Sequence, residues 1–469
     1  MDKEYVDSYD YTHIITKELS RGGQGVVYKT QIPNIVVKVE IDSKTNIEKE
    51  DSSENEKYNK IRLLPIPSGT KVTLPQATLR DYSGYVMTLL EDMSSFKDAF
   101  YDNEKELYLN EWLKEYAEYE YGEDFIKEYG GYIRTGGKRR RLLAYLKSGI
   151  ELAKLHMNSL VYCDFSDNNV FLSTDKNYTN VWLIDADNIN YQALTQKGGF
   201  LTPGYAAPEL YQGHGCTMYS DIYSYLISLF WQLTNNHPFE GLYKDEYDGE
   251  DYEEFDQIKN CGELPFILDK DEDCQYEYNN YKEDTQIDQS NLLSREFIKI
   301  FEKAFSYEGK VNKRKRPTIF QINYEIAKEL DRTIKCSHCE MEYTTDFKEC
   351  PWCDNKNKVI DIKSYYYNED KANLLWKFCQ EIEDKKTKDI PTRLSQGYKS
   401  DEIDDILFNI ELEDNKLKIS NFNYRFEFKK FDTKEEMYGE YIVNAPIKIL
   451  CNEKKSKDIV LLEVNVECN

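Results

Sequence analysis

The stretch that most limits what this chain can fold into is Leu160–Leu172, LVYCDFSDNNVFL. An amphipathic segment leads into it, with Leu146, Ile150, Ala153 and Leu155 at helical spacing. Asp164 is followed five residues later by Asn169 and then by an apolar run. Sixteen residues beyond Asn169, a second apolar strand, WLIDAD, ends in Asp185. The run therefore carries two carboxylates and an amide at fixed spacing, each at the end of an apolar element. In a chain rich in Asp and Asn, an Asp-x4-Asn pair also arises by chance, so the flanking segments must decide its meaning.

Composition narrows the field. At 469 residues, two to four domains are expected. A formal net charge of −25 argues against non-specific nucleic-acid binding, which needs Lys and Arg to displace phosphate counterions. It fits a role in solubility instead. The start, MDKEYVDSYDYTH, lacks a basic-then-apolar leader pattern, and no apolar run approaches the roughly 20 residues that span a bilayer. The expectation is a cytoplasmic protein with no membrane partner. Of eleven Cys, an odd number, four fall in one tight cluster, which favours a metal site with scattered thiols over a disulfide framework. Abundant Tyr, Asn, Lys and Ile hint at an AT-rich genome.

Upstream, residues 15 to 40 read as three β segments. The turn between the first two is Leu19-Ser-Arg-Gly22-Gly23-Gln24-Gly25, followed by Val27. A plain hairpin turn would also use Gly. The next segment, Ile35-Val-Val-Lys38-Val, sets a Lys among β-branched residues, which is costly unless the ammonium has a partner. Downstream come LTPGYAAPE, ending in Glu209, then Asp221 at the head of the apolar helix YLISLFWQL, and Arg316 in Lys-Arg-Pro-Thr.

In order and spacing these segments resemble the eukaryotic-like Ser/Thr protein kinases, over about residues 10 to 333. The resemblance implies an α+β, bilobal fold, with an N-lobe of about 10–90 and a C-lobe of about 91–333. It implies ATP, Mg²⁺ and protein substrates, with transfer of the γ-phosphate to protein hydroxyls. Asp164 would accept the substrate hydroxyl's proton, and Asn169 and Asp185 would hold Mg²⁺. Lys38 would hold the phosphates, positioned by a Glu on the helix between about Ile47 and Leu64. Among its four Glu, Glu56 is the choice, because Tyr58, Ile61 and Leu64 follow it with core-like spacing, and Glu54 is second. Ser20, Gly22 and Gly25 take the three glycine-loop positions. Val27 would cover the adenine, and Met87, in the strand Gly84-Tyr-Val-Met87, takes the gatekeeper position. Thr202 would be the substrate-platform threonine, Asp221 would accept backbone N–H bonds from the catalytic loop, and Arg316 would pair with Glu209.

The departures are as informative. The family's His-Arg-Asp is Tyr162-Cys163-Asp164, so no arginine awaits an activation-loop phosphate. The catalytic-loop Lys is Ser166, and Asp-Phe-Gly is Asp185-Ala186-Asp187. Such variants occur among bacterial kinases. The rival reading is a pseudokinase, a nucleotide-binding scaffold without phosphotransfer. Two charge runs outside the motifs, Lys138–Arg141 and the acidic stretch 242–256, are expected to be solvated, although either could meet an oppositely charged partner.

Cys336-Ser-His-Cys339 and Cys350-Pro-Trp-Cys353, ten residues apart, can set four thiolates around Zn²⁺. A zinc ribbon at 334–358 is expected, with His338 outside the ligand set and a rubredoxin-like iron site or redox dithiols as rivals. Its loss should stay local and spare ATP binding. Residues 359–402 read as an amphipathic helix (about 369 to 385, with Leu374, Leu375, Phe378 and Ile382 on one side) and a polar linker holding Pro391 and Gly397. From Ile403 alternation takes over, with FNIEL, the turn Glu413-Asp-Asn415, and KLKIS. Residues 403–469 are expected to form a β-rich interaction module. It and the ribbon are the expected places for a regulatory partner.

Overall fold

The computed structural model describes residues 3–22, 25–42, 44–102, 107–119, 122–195, 201–241, 252–269, 287–368, 371–454 and 456–468. Most of the acidic stretch at 242–256 lies outside them.

The N-terminal part is one antiparallel sheet of β1 (Glu4–Val6), β2 (Thr12–Arg21), β3 (Gly25–Thr30), β4 (Ile35–Glu40), β5 (Ala77–Thr78) and β6 (Gly84–Thr88), in the order β1-β2-β3-β4-β6-β5. Period-two alternation in β3 and β branching in β4 suit a sheet with both faces covered. Tyr5, Val26, Tyr28, Val37, Val39, Ile41, Ala77, Leu79 and Val86 form a small apolar cluster of their own. The other face meets α1 (Glu56–Arg62), whose Tyr58 and Ile61 join the main core of the molecule.

That main core begins with the 21-residue helix Gly137–Met157, buried on nearly every side. It packs against the helices Met218–Thr234 and Ile319–Asp331. Each of these two starts on a capping box, Thr217 with Ser220 and Thr318 with Gln321, which satisfies N–H groups that a helix start otherwise leaves bare. Short strands position the loop singled out above. Leu160–Val161 pairs with Asn190–Tyr191, and Val170–Ser173 lies between Val181–Leu183 and Met93–Ser95. Segment 162–169 is thus held at both ends. Between residues 94 and 137 helix forms at Phe96–Phe100, Glu111–Lys114 and Gly122–Arg134.

The basic run Lys138–Arg141 is neither solvated nor a docking patch. Lys138 is buried and ion-paired to Glu329 at 2.7 Å. Arg140 donates to the carbonyls of Thr135 and Ser173 at 3.0 and 2.9 Å, and Arg141 to those of Gly137 and Phe100 at 3.0 and 3.2 Å. Cations at a helix N-terminus oppose its dipole. Here a carboxylate and carbonyls, local and distant, compensate, and a composition-based expectation of solvation fails because the Glu329 carboxylate and the Ser173 and Phe100 carbonyls lie far away in sequence.

The cysteine hairpin, Thr333–Lys335 against Glu342–Thr344, sits on this helical body. Asn110 donates to the Cys339 carbonyl at 2.8 Å, Tyr108 donates to Glu340 at 2.8 Å, and Trp352 packs edge-on against Tyr129. Gly137, at φ +64°, lies so near Glu342 that a Cβ there would come within 2.7 Å of its carboxylate oxygen. That carboxylate accepts the Arg139 backbone N–H at 2.7 Å.

Lys358–Asn368 and Lys371–Glu381 are a strand pair and not a helix. Leu374 is exposed, whereas Trp376, Phe378 and Ile382 are buried. The i, i+4, i+8 spacing of Leu374, Phe378 and Ile382 satisfies a helix and a strand alike, and pairing with Lys358–Asn368, whose other edge is held by Ile459–Cys468, decides for the strand. Positions 369 and 370 of that expected helix lie outside the described residues. The expected polar linker is also packed structure. Ile390 and Pro391 are buried in the strand Thr387–Pro391, and Arg393 pairs with buried Asp331. The tail comprises a five-stranded and a four-stranded sheet. In the latter, Ile406–Glu413 and Lys416–Ser420 are joined by Asp414 and Asn415, both at positive φ, as a two-residue hairpin of the right twist requires. One continuous apolar cluster runs through the helical body, the cysteine hairpin and the tail.

Candidate active site

The carboxylate of Asp221 organises the loop. Its Oδ2 and Oδ1 accept the backbone N–H groups of Tyr162 and Cys163, each at 2.8 Å, and His156 Nε2 lies 3.0 Å from Oδ2. Cys163 is thereby held at φ +71°, a left-handed backbone that a non-glycine residue adopts only where its surroundings impose it. The Tyr162 hydroxyl donates to the carbonyls of Asn169 and Ile184, tying the two strands together from beneath.

On this base Asp164 presents its side chain. Oδ1 accepts the Thr202 hydroxyl at 2.5 Å, and Oδ2 accepts Asn169 Nδ2 at 2.9 Å. Burial raises the Asp164 pKa above the usual carboxylate range, against the pull of those two donors. Asn169 spends its N–H on Asp164, so its amide oxygen is the atom it has to offer a cation. Ile184 N donates to the Asn169 carbonyl at 2.9 Å, which fixes Asp185 beside the loop. Asp185 itself sits at φ +55°.

Above them a row of residues crosses one face of the N-terminal sheet. Ser20 pairs with Val27, Val27 with Lys38 and Lys38 with Tyr85, in β2, β3, β4 and β6. Directly opposed residues share a face, so Val27 and Lys38 face the loop together. Met87 lies two residues along β6 from Tyr85, half-buried against the main core. Gly22 N donates to the Gly25 carbonyl at 2.9 Å and closes the turn. Gly25 has a structural need for its missing side chain, because a Cβ there would approach the Val39 carbonyl oxygen to 2.8 Å. Gly23 and Gln24 lie outside the described residues.

Lys38 reaches down to the carboxylates of Asp185 and, at 2.7 Å, Asp187. Burial alone would lower its pKa, but the two carboxylates outweigh that and raise it. Glu56 is not its partner. Glu56 is exposed and pairs with Lys60 at 3.0 Å, and Glu54 is exposed near Lys49 and Lys57. The inward positions of α1 are Tyr58 and Ile61. Tyr58 gives its hydroxyl to Glu40 and tilts its ring against Tyr85. Asp187, Tyr85 and Tyr58 were not among the residues singled out from sequence. The available signal was the second acid in WLIDAD, read there only as the loss of a glycine.

Farther out, Arg316 pairs with Glu209 through two hydrogen bonds of 2.7 and 2.8 Å in a buried setting. Ser166 is buried, and its hydroxyl is among the described polar atoms with no hydrogen-bond partner. Oxygen donors on Asn169 and Asp185 are the hard ligands that Mg²⁺ prefers.

The second candidate centre is the cysteine cluster. The four Sγ atoms of Cys336, Cys339, Cys350 and Cys353 lie within 4.8 Å of one another, with Cys336–Cys353 and Cys339–Cys350 at 3.6 Å. A tetrahedron with Zn–S arms of about 2.3 Å has S–S edges of about 3.8 Å, so the thiols fit the ion. His338 is exposed and contributes only its backbone N–H, at 3.4 Å from Cys336 Sγ.

Comparison with known proteins agrees with this geometry. The family model for the protein kinase domain matches residues 90–325, a little over half of the chain, leaving out the N-terminal sheet. The receptor kinase-like protein Xa21 of Oryza sativa subsp. japonica is 28% identical over 145 residues, which cover 28% of this chain and 14% of that protein. The chain thus spans about one seventh of that curated relative. With a matched kinase domain, and with an acid, an amide and a lysine converging on one cleft, the chain belongs to the protein kinase family.

Proposed function

We propose that this protein is an ATP- and Mg²⁺-dependent Ser/Thr protein kinase that works without an arginine before its catalytic aspartate. The observation that carries the reading is the bonding of Asp164, which takes a hydroxyl donor on one oxygen and the Asn169 amide on the other. Asp164 is the general base. It orients the acceptor hydroxyl and takes its proton, and its raised pKa suits that role. The Thr202 hydroxyl already on Oδ1 supports an aliphatic hydroxyl as acceptor. Lys38 holds the phosphates, Ser20, Gly22, Gly25 and Val27 cover the nucleotide, and Met87 borders the adenine. Asn169 and Asp185 hold Mg²⁺, which neutralises phosphate charge when bound.

The second reading, a nucleotide-binding scaffold without transfer, is favoured by Ser166, a neutral residue where the family pattern has a Lys for the transferring phosphate. Incubating the purified protein with labelled ATP and a Ser/Thr-rich protein mixture decides between them. Incorporation lost in Asp164→Asn supports the kinase, and nucleotide binding without incorporation supports the scaffold.

We assign Zn²⁺ to Cys336, Cys339, Cys350 and Cys353 as a structural ribbon, tested by metal analysis of the purified protein. The ribbon spans about 334–358, after a kinase domain of about 10–333, and the residues from 359 onward form the β-rich tail. A bacterial, cytoplasmic setting fits the composition. No helix among the described residues is long and apolar enough to cross a membrane.

A further inference from the structure

A buried ammonium needs a carboxylate that stays with it. The Lys38 side chain is only 10% exposed, in the middle of a sheet whose neighbouring side chains are apolar or aromatic. The helix that faces it carries no acid on its inner side. Glu56 and Glu54 are 76% and 57% exposed and paired with α1's own or nearby lysines, while Tyr58 and Ile61 fill the inward positions. Glu40, the other acid near α1, is occupied by Lys57, Tyr58 and Ser83.

Two carboxylates do reach Lys38, and their other duties differ. Asp185 is the ligand that Mg²⁺ would claim under the function proposed above. Asp187 lies two residues on, in the middle of a short turn that starts from the left-handed backbone of Asp185. Its Oδ2 sits 2.7 Å from Lys38 Nζ, its side chain is 16% exposed, and the buried Tyr85 phenol lies beside it. Lys38, Asp187, Tyr85 and Tyr58 form one packed group, with the Lys38 ammonium 5.7 Å from the centre of the Tyr85 ring.

We propose that Asp187 is the positioning residue for Lys38, the carboxylate that keeps its ammonium on the nucleotide while Asp185 turns to the cation. The lysine is then set by the segment after Asp185 and not by α1. Displacement of α1 leaves Lys38 in place, whereas movement of the 185–188 turn does not. This rests on the kinase reading for its kinetic consequences but not for nucleotide binding.

The test is a double-mutant cycle on the full-length protein, read by titration with a fluorescent ATP analogue and, in parallel, by kcat and KM for ATP. Asp187→Asn is expected to weaken nucleotide binding and lower kcat/KM by tenfold or more. Asp187→Glu should recover part of the loss, and Glu56→Ala should change either by less than twofold. In a Lys38→Met background, Asp187→Asn should add nothing to the loss of binding. Thermal unfolding checks that each variant is folded, and Asp187→Ser serves where the Asn variant is not. Parental binding by Asp187→Asn overturns the proposal, as does a tenfold effect of Glu56→Ala. A loss that persists undiminished in the Lys38→Met background, or that Mn²⁺ restores, makes Asp187 a metal ligand instead and equally overturns it. If the parent binds nucleotide but transfers no phosphate, the kinase reading fails while the binding cycle still decides the role of Asp187.

Discussion

The N-terminal sheet and the rest of the chain are built to different standards of connection. The sheet has a nine-residue apolar cluster of its own and meets the remainder through α1, Tyr85 and the charges around Lys38. The helical body, the cysteine hairpin and the tail share a single apolar cluster, sealed by buried ion pairs that bridge segments distant in sequence. The difference bears on what can move. A seam of a few apolar side chains, ion pairs and one short backbone bridge, Val72 with Leu183, can open and close with smaller changes in free energy than a shared core, which transmits a local loss to everything packed in it. The hairpin and tail are therefore structural parts of the catalytic body, rather than the appended modules that their position after the kinase motifs suggests.

Removing the zinc proposed for the cysteine cluster should break that contrast most severely. Structural zinc sites contribute about 10–16 kcal/mol of apparent binding free energy. Cys350→Ser or chelation should therefore destabilise the helical body by several kcal/mol, against the expectation from sequence of a local loss. Thermal unfolding followed by tryptophan fluorescence tests this, and an unchanged main transition would restore the local picture. The seam should behave in the opposite way. Asp164→Asn should lower phosphotransfer by about 10²–10⁴-fold, the usual range for a general base, with the unfolding temperature unchanged within a few degrees. Full activity in that variant would remove Asp164 from the chemistry.

Next in size is the partly buried pair of Arg139 with Glu381. Arg139→Ala should cost about 3 kcal/mol, the low end for breaking such a pair, because Lys388 stays with Glu381 at 3.0 Å. A cost below about 1 kcal/mol in denaturant titration would show that the bridge is not structural. Burial would raise the pKa of Glu381, but Arg139 outweighs it and holds the group at about 2. A carboxylate depressed on folding contributes stability above its ordinary pKa of about 4.5 and loses it as pH falls toward 2. Glu381→Gln should flatten the stability profile in that window and nowhere else.

The smallest effect is expected at Thr195. Its hydroxyl donates to the Cys216 carbonyl at 2.9 Å, and the neutral Cys163 offers a phosphate no cation. Thr195→Ala, and phosphatase-treated protein, should keep activity within about twofold, or about 0.4 kcal/mol of barrier. A tenfold loss would mean that phosphorylation of the segment matters and that another cation serves it. Residues 196–200 lie outside the described part of that segment.

What could be read from sequence follows from how far each feature reaches. Asp164, Asn169 and Asp185 lie on short elements whose strands fix them locally, and the family pattern named them. Asp221 and the Glu209–Arg316 pair were legible through the family pattern, and the structure supplies their hydrogen bonds. The partner of Lys38 was misread because α1 has only seven residues, too few for periodicity to say which face is inward. The Lys371–Glu381 strand was misread because its apolar spacing satisfies two periods, and what separates them is pairing with Lys358–Asn368, a strand held on its other edge by one about 90 residues later. The run at Lys138–Arg141 shows the same limit, since its carboxylates come from Glu329 and Glu381.

Gly137 gives this integration a handle. Its φ of +64° and the Glu342 carboxylate over it leave no room for even a methyl group. Gly137→Ala would act as a wedge at the joint between the long helix and the cysteine hairpin, strained by its own backbone and displacing the carboxylate that receives the Arg139 N–H. It touches no thiol and no group in the nucleotide cleft. One added carbon would thus loosen the hairpin from the catalytic body with the metal still bound, separating what the metal does for its own loop from what docking does for the enzyme.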